Sequence, residues 1–340
     1  MSSVKRAKSF AGRKVLAALV LAFVCIVFCG AFSVNAYAKV HKIKSAKDWH
    51  NISKYKGGTF KLTKDIKLTK RSQYLTIKKN KKYTIDLNGH NITTTYSGVA
   101  LENYSPLVIK KGTVILKNSK KNKKGIFYST ETTAVLVGGK SKFYLKNATV
   151  YNNATEFRSN LPTGIYLRDK AKCYLQGNSR VLSIGNAIVM FNNAQLTASG
   201  TGRSPYPYIR AGFSNIQGAF THYGSGINIT SPSCKVTLKS GSIGTKASPP
   251  ANVNSYFSTI EYQQSGDFPV YDKNGNSLKL APGYVYLDFN ENVVPMSSSF
   301  DYLGASAVYY LKLSGANPDK RLTTTVKDNE GYYTIFVWKK

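Results

Sequence analysis

Acidic side chains are scarce in this chain of 340 residues: 16 Asp and Glu stand against 48 Lys and Arg, a formal net charge of +32. Four His and four Cys are too few for a zinc-cluster protein or a disulfide scaffold. There is no Asp-Asp pair, no glycine-rich phosphate loop, no nucleophile elbow and no His/Cys set at metal-ligating spacing. Helical periodicity is nearly absent, and a long apolar run occurs once only, near the N-terminus. Apolar residues nevertheless make up 42%, enough to build a core, so the chain is not a disordered polyelectrolyte. The length suits two domains or one solenoid.

Lys5, Arg6, Lys8, Arg13 and Lys14 precede the apolar run Val15 to Val34, and Ala36-Tyr37-Ala38 follows. A basic stretch, an apolar stretch and an A-x-A site read as a secretory signal peptide cut after Ala38. The alternative is an uncleaved anchor, since the run is long enough to span a bilayer. Cleavage predicts an exported protein, secreted or at the cell surface, with Cys173 and Cys234 as its remaining cysteines. Export permits a disulfide between these two; two buried free thiols are the other reading.

The charge is unevenly placed. Residues 39–255 hold 35 bases and 7 acids, whereas residues 256–340 hold 8 bases and 9 acids. That step predicts an N-cap and solenoid over 39–250 and a C-terminal β-module or cap over 251–340. The Pro-, Ser- and Asn-rich stretch from Lys246 to Ser255 joins them.

Short β-type runs dominate. One helix is expected between Ser45 and Tyr55, with Ser45 and Asp48 as a capping pair and Trp49 and Ile52 on one apolar face. The pattern apolar-x-Leu-x-x-small-x-apolar then recurs, as in Phe143-Tyr-Leu-Lys-Asn-Ala-Thr-Val150 and Val236-Thr-Leu-Lys-Ser-Gly-Ser-Ile243. Aligning its leucines gives Leu87, Leu116, Leu145, Leu175, Leu196 and Leu238. A second strand family lies between them: Val99 to Leu101, Ala134 to Val137, Ile165 to Leu167, Ala187 to Met190 and Ile227 to Ile229. Two interleaved families with Gly and Asn at the corners favour a stacked β-solenoid over a β-sandwich of irregular hairpins.

Thr84-Ile-Asp-Leu-Asn-Gly-His-Asn-Ile92 resembles the strand-turn of secreted bacterial right-handed parallel β-helix proteins of the pectate-lyase-like superfamily. Ser45 to Trp49 and Gly58 to Ile66 resemble their N-terminal cap and first coil. The resemblance covers about residues 42–245 and implies an all-β fold: a right-handed parallel β-helix, a short capping helix, and beyond it a C-terminal antiparallel β-module. It does not imply one activity, because that superfamily contains lyases, hydrolases, adhesins and proteins without known activity.

Glycoside hydrolysis needs two facing carboxylates, and the solenoid has only Asp48, Asp65, Asp86, Glu102, Glu131, Glu156 and Asp169 to offer. Asp65 and Asp86 fall in the strand-turn pattern and read as structural. A polysaccharide lyase acting on uronates by β-elimination is easier to arrange. Glu102 and Asp169 would hold Ca²⁺, and Arg168 would act as base or carboxylate clamp. No cofactor or metal is expected outside that reading. The competing reading is that Asp169 caps a corner and pairs with Arg168.

The basic signal is stronger. Lys78-Lys79-Asn80-Lys81-Lys82 and Lys120-Lys121-Asn122-Lys123-Lys124 are the same pentapeptide in two turns, with Lys110-Lys111 between them. Placed on one edge of a solenoid they would form a lysine stripe that attracts an anionic polysaccharide or cell-wall polymer. The expected function is therefore an exported, adhesin-like binding protein. A uronate lyase and a structural envelope protein are the alternatives. Export and the lack of a nucleic-acid motif argue against nucleic acid as the partner. Aromatic strands such as Tyr332 to Trp338 suggest that residues beyond 256 close the open end of the solenoid.

Overall fold

The computed structural model describes residues 39–95, 104–155, 162–200, 206–212, 224–239 and 241–246. Beyond these it describes short strands at 260–262, 270–271, 284–287, 293–294, 310–313, 322–325 and 332–337. Ala36 and Ala38 of the expected leader, the expected strand at 99–101 and Glu102 lie outside the described residues.

The chain opens with strand Val40–Ile43 and a helix, α1, over Ala46–Asn51. The Ser45 side chain accepts from the Asp48 backbone N–H at 3.1 Å, and Asp48 Oδ2 accepts from the Lys44 N–H at 3.1 Å. One free N–H of the first turn is thus satisfied, the Asp48 carboxylate ties down the backbone just ahead of the cap, and one 3₁₀ turn, Ile52–Lys54, ends the segment. The apolar pair faces inward as its spacing requires: Trp49 and Ile52 are fully buried, and Trp49 lies 5.8 Å from the Phe127 ring.

From Gly58 onward the backbone winds through three parallel sheets, taking one strand from each per coil. Sheet 1 contains Gly58–Leu62, Lys82–Asp86, Thr113–Lys117, Lys142–Lys146, Lys172–Gln176, Gln195–Ser199 and Lys235–Leu238. Sheet 2 contains Ile66–Leu68, Ile92–Thr94, Ile126–Ser129, Thr149–Asn152, Arg180–Ser183, Tyr208–Ala211 and Gly241–Lys246. Sheet 3 contains Leu75–Ile77, Leu107–Ile109, Thr133–Val137, Thr163–Leu167, Asn186–Met190, Ile227–Ile229 and Ile260–Tyr262. The described residues therefore form seven coils of a three-sheet parallel β-helix. Val270–Tyr271 adds another strand to sheet 1 by pairing parallel with Val236 and Thr237.

Inward positions stack in columns. Ile85, Leu116, Leu145 and Leu175 form one, continued by Ala198 and Leu238. Ile92, Phe127, Val150, Val181, Ile209 and Ile243 form the matching column of sheet 2. Burying one Leu or Ile contributes about 1.5–3 kcal/mol, and a column recovers that at every coil. Two of the six aligned leucines sit elsewhere. Leu116 pairs with Ile85 and not with Leu87, and Leu196 pairs with Cys173 and not with Leu175. Both slips are two residues, and a two-residue shift keeps a side chain on the same face of a strand, so the sequence pattern cannot reveal it.

The corners are made by residues in the left-handed region. Asn88, Asn147, Asp169 and Asn192 have φ of 51°, 54°, 63° and 58°. Short polar side chains tolerate this conformation and bond locally there. Asp86 Oδ1 accepts from the Asn88 and Ser119 N–H groups at 2.9 and 3.0 Å, and Asp65 Oδ1 from the Asn91 N–H at 2.9 Å. Both aspartates are turn formers, as their place in the strand-turn pattern implies.

At the far end, strand Tyr332–Val337 pairs antiparallel with Gly241–Lys246, the last solenoid strand of sheet 2, and with Leu322–Thr325. Tyr284–Leu287 forms an antiparallel sheet with Val293–Val294 and Tyr310–Leu313. The exposed edge of sheet 2 is covered by this arrangement.

Candidate functional site

The two lysine pentapeptides do not share an edge. Lys78 to Lys82 forms the corner between sheet 3 and sheet 1, whereas Lys120 to Lys124 forms the corner between sheet 1 and sheet 2. They lie at opposite ends of the sheet 1 strands, whose five residues span about 13 Å in four steps of about 3.3 Å. The Lys120–Lys124 loop packs on the corner below it, where a Cβ at Gly89 would meet Lys123 Cβ at 2.9 Å. The separation places both groups beside one surface, the outer face of sheet 1.

The corner between sheets 3 and 1 is the longer rail. Lys78, Lys79, Lys81 and Lys82 stand on the first corner, Lys110 and Lys111 on the next, and Lys140 and Lys142 on the third. Arg168, Lys170 and Lys172 follow on the fourth. Apart from half-buried Lys172, these side chains are exposed. Lys79 is tied to the cap: its Nζ donates to the Lys54 carbonyl at 2.7 Å and the Tyr55 carbonyl at 3.3 Å. Among the described residues no lysine of this rail pairs with a carboxylate. Successive corners repeat at the strand spacing of about 4.7–4.9 Å, so their positive fields add along the axis.

The second rail carries Lys117 and Lys146 beside the Lys120–Lys124 loop. Lys117 Nζ is 3.8 Å from Asp86 Oδ2. Between the rails, outward positions of the sheet 1 strands stack in register, and Tyr144 lies against Tyr174 with centroids 4.5 Å apart and planes at 12°. Burial raises the Tyr174 hydroxyl above its ordinary range, and the neighbouring Tyr144 adds to the rise. Sequence reasoning passed over these tyrosines; their place next to the recurring leucine, Tyr-Leu in both repeats, was the available signal.

Arg168 and Asp169 occupy one corner of the first rail. Asp169 Oδ2 accepts from the Gly139 N–H at 3.0 Å and lies 3.8 Å from Arg168 Nε. Asn192 Nδ2, one coil on, is 3.5 Å from its Oδ1. Three successive corners are thereby linked through one carboxylate, which is the capping arrangement. Among the described residues no cluster of three or more His, Cys, Asp and Glu is placed to hold a metal ion.

Cys173 and Cys234 are both free and buried, so the disulfide that export would permit is not formed. Cys173 stacks with Leu196, and Leu196 with Val236. Two strand steps, roughly 9–10 Å, separate the thiols' coils, beyond the 4.4–6.8 Å Cα separation of a disulfide. Cys234 Sγ instead donates to the Asn192 carbonyl at 2.9 Å.

A buried ionic group lies in the turn between sheets 2 and 3. Glu131, fully buried, receives Arg71 Nε at 2.7 Å, Arg71 Nη2 at 3.0 Å and the Tyr74 hydroxyl at 2.8 Å. The Arg71 guanidinium also lies 4.0 Å from the Tyr104 ring centroid.

The fold and this surface define a parallel β-helix with a basic outer face on one sheet. No protein-family model, curated protein or solved structure matches the chain. Among the described residues no helix is long and apolar enough to cross a membrane.

Proposed function

We propose that this protein is an exported, adhesin-like solenoid that binds an anionic polysaccharide or cell-wall polymer along the outer face of sheet 1. The observation that carries the reading is the pair of lysine rails flanking that face, the longer one repeated at corner after corner. The basic, apolar and A-x-A run ending at Ala38 supports export. The likeness of Thr84 to Ile92 to the pectate-lyase-like strand-turn supports a secreted bacterial setting. An extended polyanion laid parallel to the solenoid axis meets a cation at each step, with affinity that falls as salt rises.

The alternative, a uronate lyase using Arg168 and Asp169 with Ca²⁺, has less support, because both carboxylate oxygens of Asp169 already face corner partners. One experiment addresses both. The purified chain is passed over an immobilised uronate polymer at rising salt, and the soluble polymer is monitored for ultraviolet-absorbing unsaturated products with and without Ca²⁺. Salt-sensitive retention without product is expected. Product formation would replace binding with elimination, and absence of retention would remove the polyanion reading.

A further inference from the structure

The centre line of the outer face of sheet 1 changes character along the solenoid. Register places Tyr144, Tyr174, Thr197, Thr237 and Tyr271 in one outward column. Tyr144 and Tyr174 lie face to face, so one face of each ring is consumed in the stack. The other face of Tyr174 looks toward Thr197, a side chain too small to cover a ring. Two threonine coils then separate it from Tyr271, and the three strand steps between the tyrosines span about 14 Å. Tyr174, Thr197, Thr237 and Tyr271 are all partly exposed.

The recess is charged at its ends. Lys172 stands beside Tyr174 on the same strand, and the Lys235 ammonium lies 5.0 Å from the Tyr271 centroid. Gln195, exposed, lies between them in the flanking column. An open aromatic face, a floor bearing methyl and hydroxyl groups, a carboxamide and two cations are not what a bare polyphosphate needs. They suit a pyranose ring, which has an apolar C–H face and a hydroxyl rim, carrying an acidic group.

We propose that this recess is a saccharide slot. One sugar ring of an acidic glycan stacks on the free face of Tyr174, and Lys172 or Lys235 pairs with the glycan's carboxylate or sulfate. The inference rests on the polyanion reading above and narrows its ligand to a sugar acid polymer.

Two probes separate the slot from the rails: a uronic-acid hexasaccharide and inorganic polyphosphate. Tyr174→Ala removes the wall. Thr197→Tyr fills the recess by continuing the aromatic column, a substitution that outward strand positions accept. Each variant is expected to weaken hexasaccharide binding about tenfold, equivalent to about 1.4 kcal/mol, with polyphosphate retention unchanged. Unchanged hexasaccharide binding in Thr197→Tyr overturns the slot, as does an equal fall for both probes. If the unmodified chain holds polyphosphate but not the hexasaccharide, the slot fails and the polyanion reading stands. If it holds neither, both fail.

Discussion

Arg71 and Glu131, 60 residues apart, meet through Nε at 2.7 Å and Nη2 at 3.0 Å, and the carboxylate is fully buried. The contact joins the turn of the first coil to that of the third and pins the N-terminal end of the solenoid. Breaking a buried pair from one side leaves an uncompensated charge and costs about 3–5 kcal/mol. Glu131→Gln should therefore lower the denaturant midpoint strongly. A shift equivalent to less than about 1 kcal/mol, the range of an exposed ion pair, would contradict the clamp.

At the Asp169 corner, two substitutions separate conformation from charge. Asn tolerates positive φ and retains an acceptor for the Gly139 N–H, so Asp169→Asn should leave unfolding nearly unchanged. Asp169→Ala loses that bond and strains a residue at φ 63°, a combined cost of about 2 kcal/mol. Equal destabilisation by both would show that the ionic contact with Arg168, not the turn, holds the corner.

Much of this was legible in the residues. The Ser45–Asp48 cap, the inward Trp49, and the strands around Leu145, Leu175 and Ile165 lie where periodicity puts them. Sheet 2 was not legible as a sheet of its own, because the recurring motif straddles a corner. In Phe143 to Val150, Leu145 belongs to sheet 1, Asn147 turns the chain, and Val150 already belongs to sheet 2. One run of sequence therefore reads as one strand and a tail. The lysine pentapeptides misled for a related reason. Identity of two turns does not say which of three corners each occupies; only the register does. That same register brings Tyr144 onto Tyr174 from 30 residues away.

Burial pushes the Cys173 thiol well above its usual range and lifts Cys234 from about 9 to about 11. It lifts the Tyr83 and Tyr166 hydroxyls too, and that of Tyr151 to about 12. Each group holds its proton more tightly folded than unfolded. The stability this gives is complete below the unfolded thiol value and is lost as pH climbs through the raised values. Thermal midpoints should stay level from neutral pH to about 9 and fall above it. A rising midpoint over that alkaline range would contradict the burial. At neutral pH neither thiol should react with a soluble thiol reagent until the chain unfolds.

The most direct test of the polyanion account is the salt dependence of affinity for a uronate polymer. It should be measured on the unmodified chain and on a variant with Lys110, Lys111, Lys140 and Lys142 changed to Gln. These side chains are exposed and none pairs with a carboxylate, so the variant should unfold at the same temperature. The account predicts that log affinity falls with log salt for the unmodified chain, and that the variant binds more weakly with a shallower slope. Affinity indifferent to salt, or identical lines for the two proteins, would contradict it.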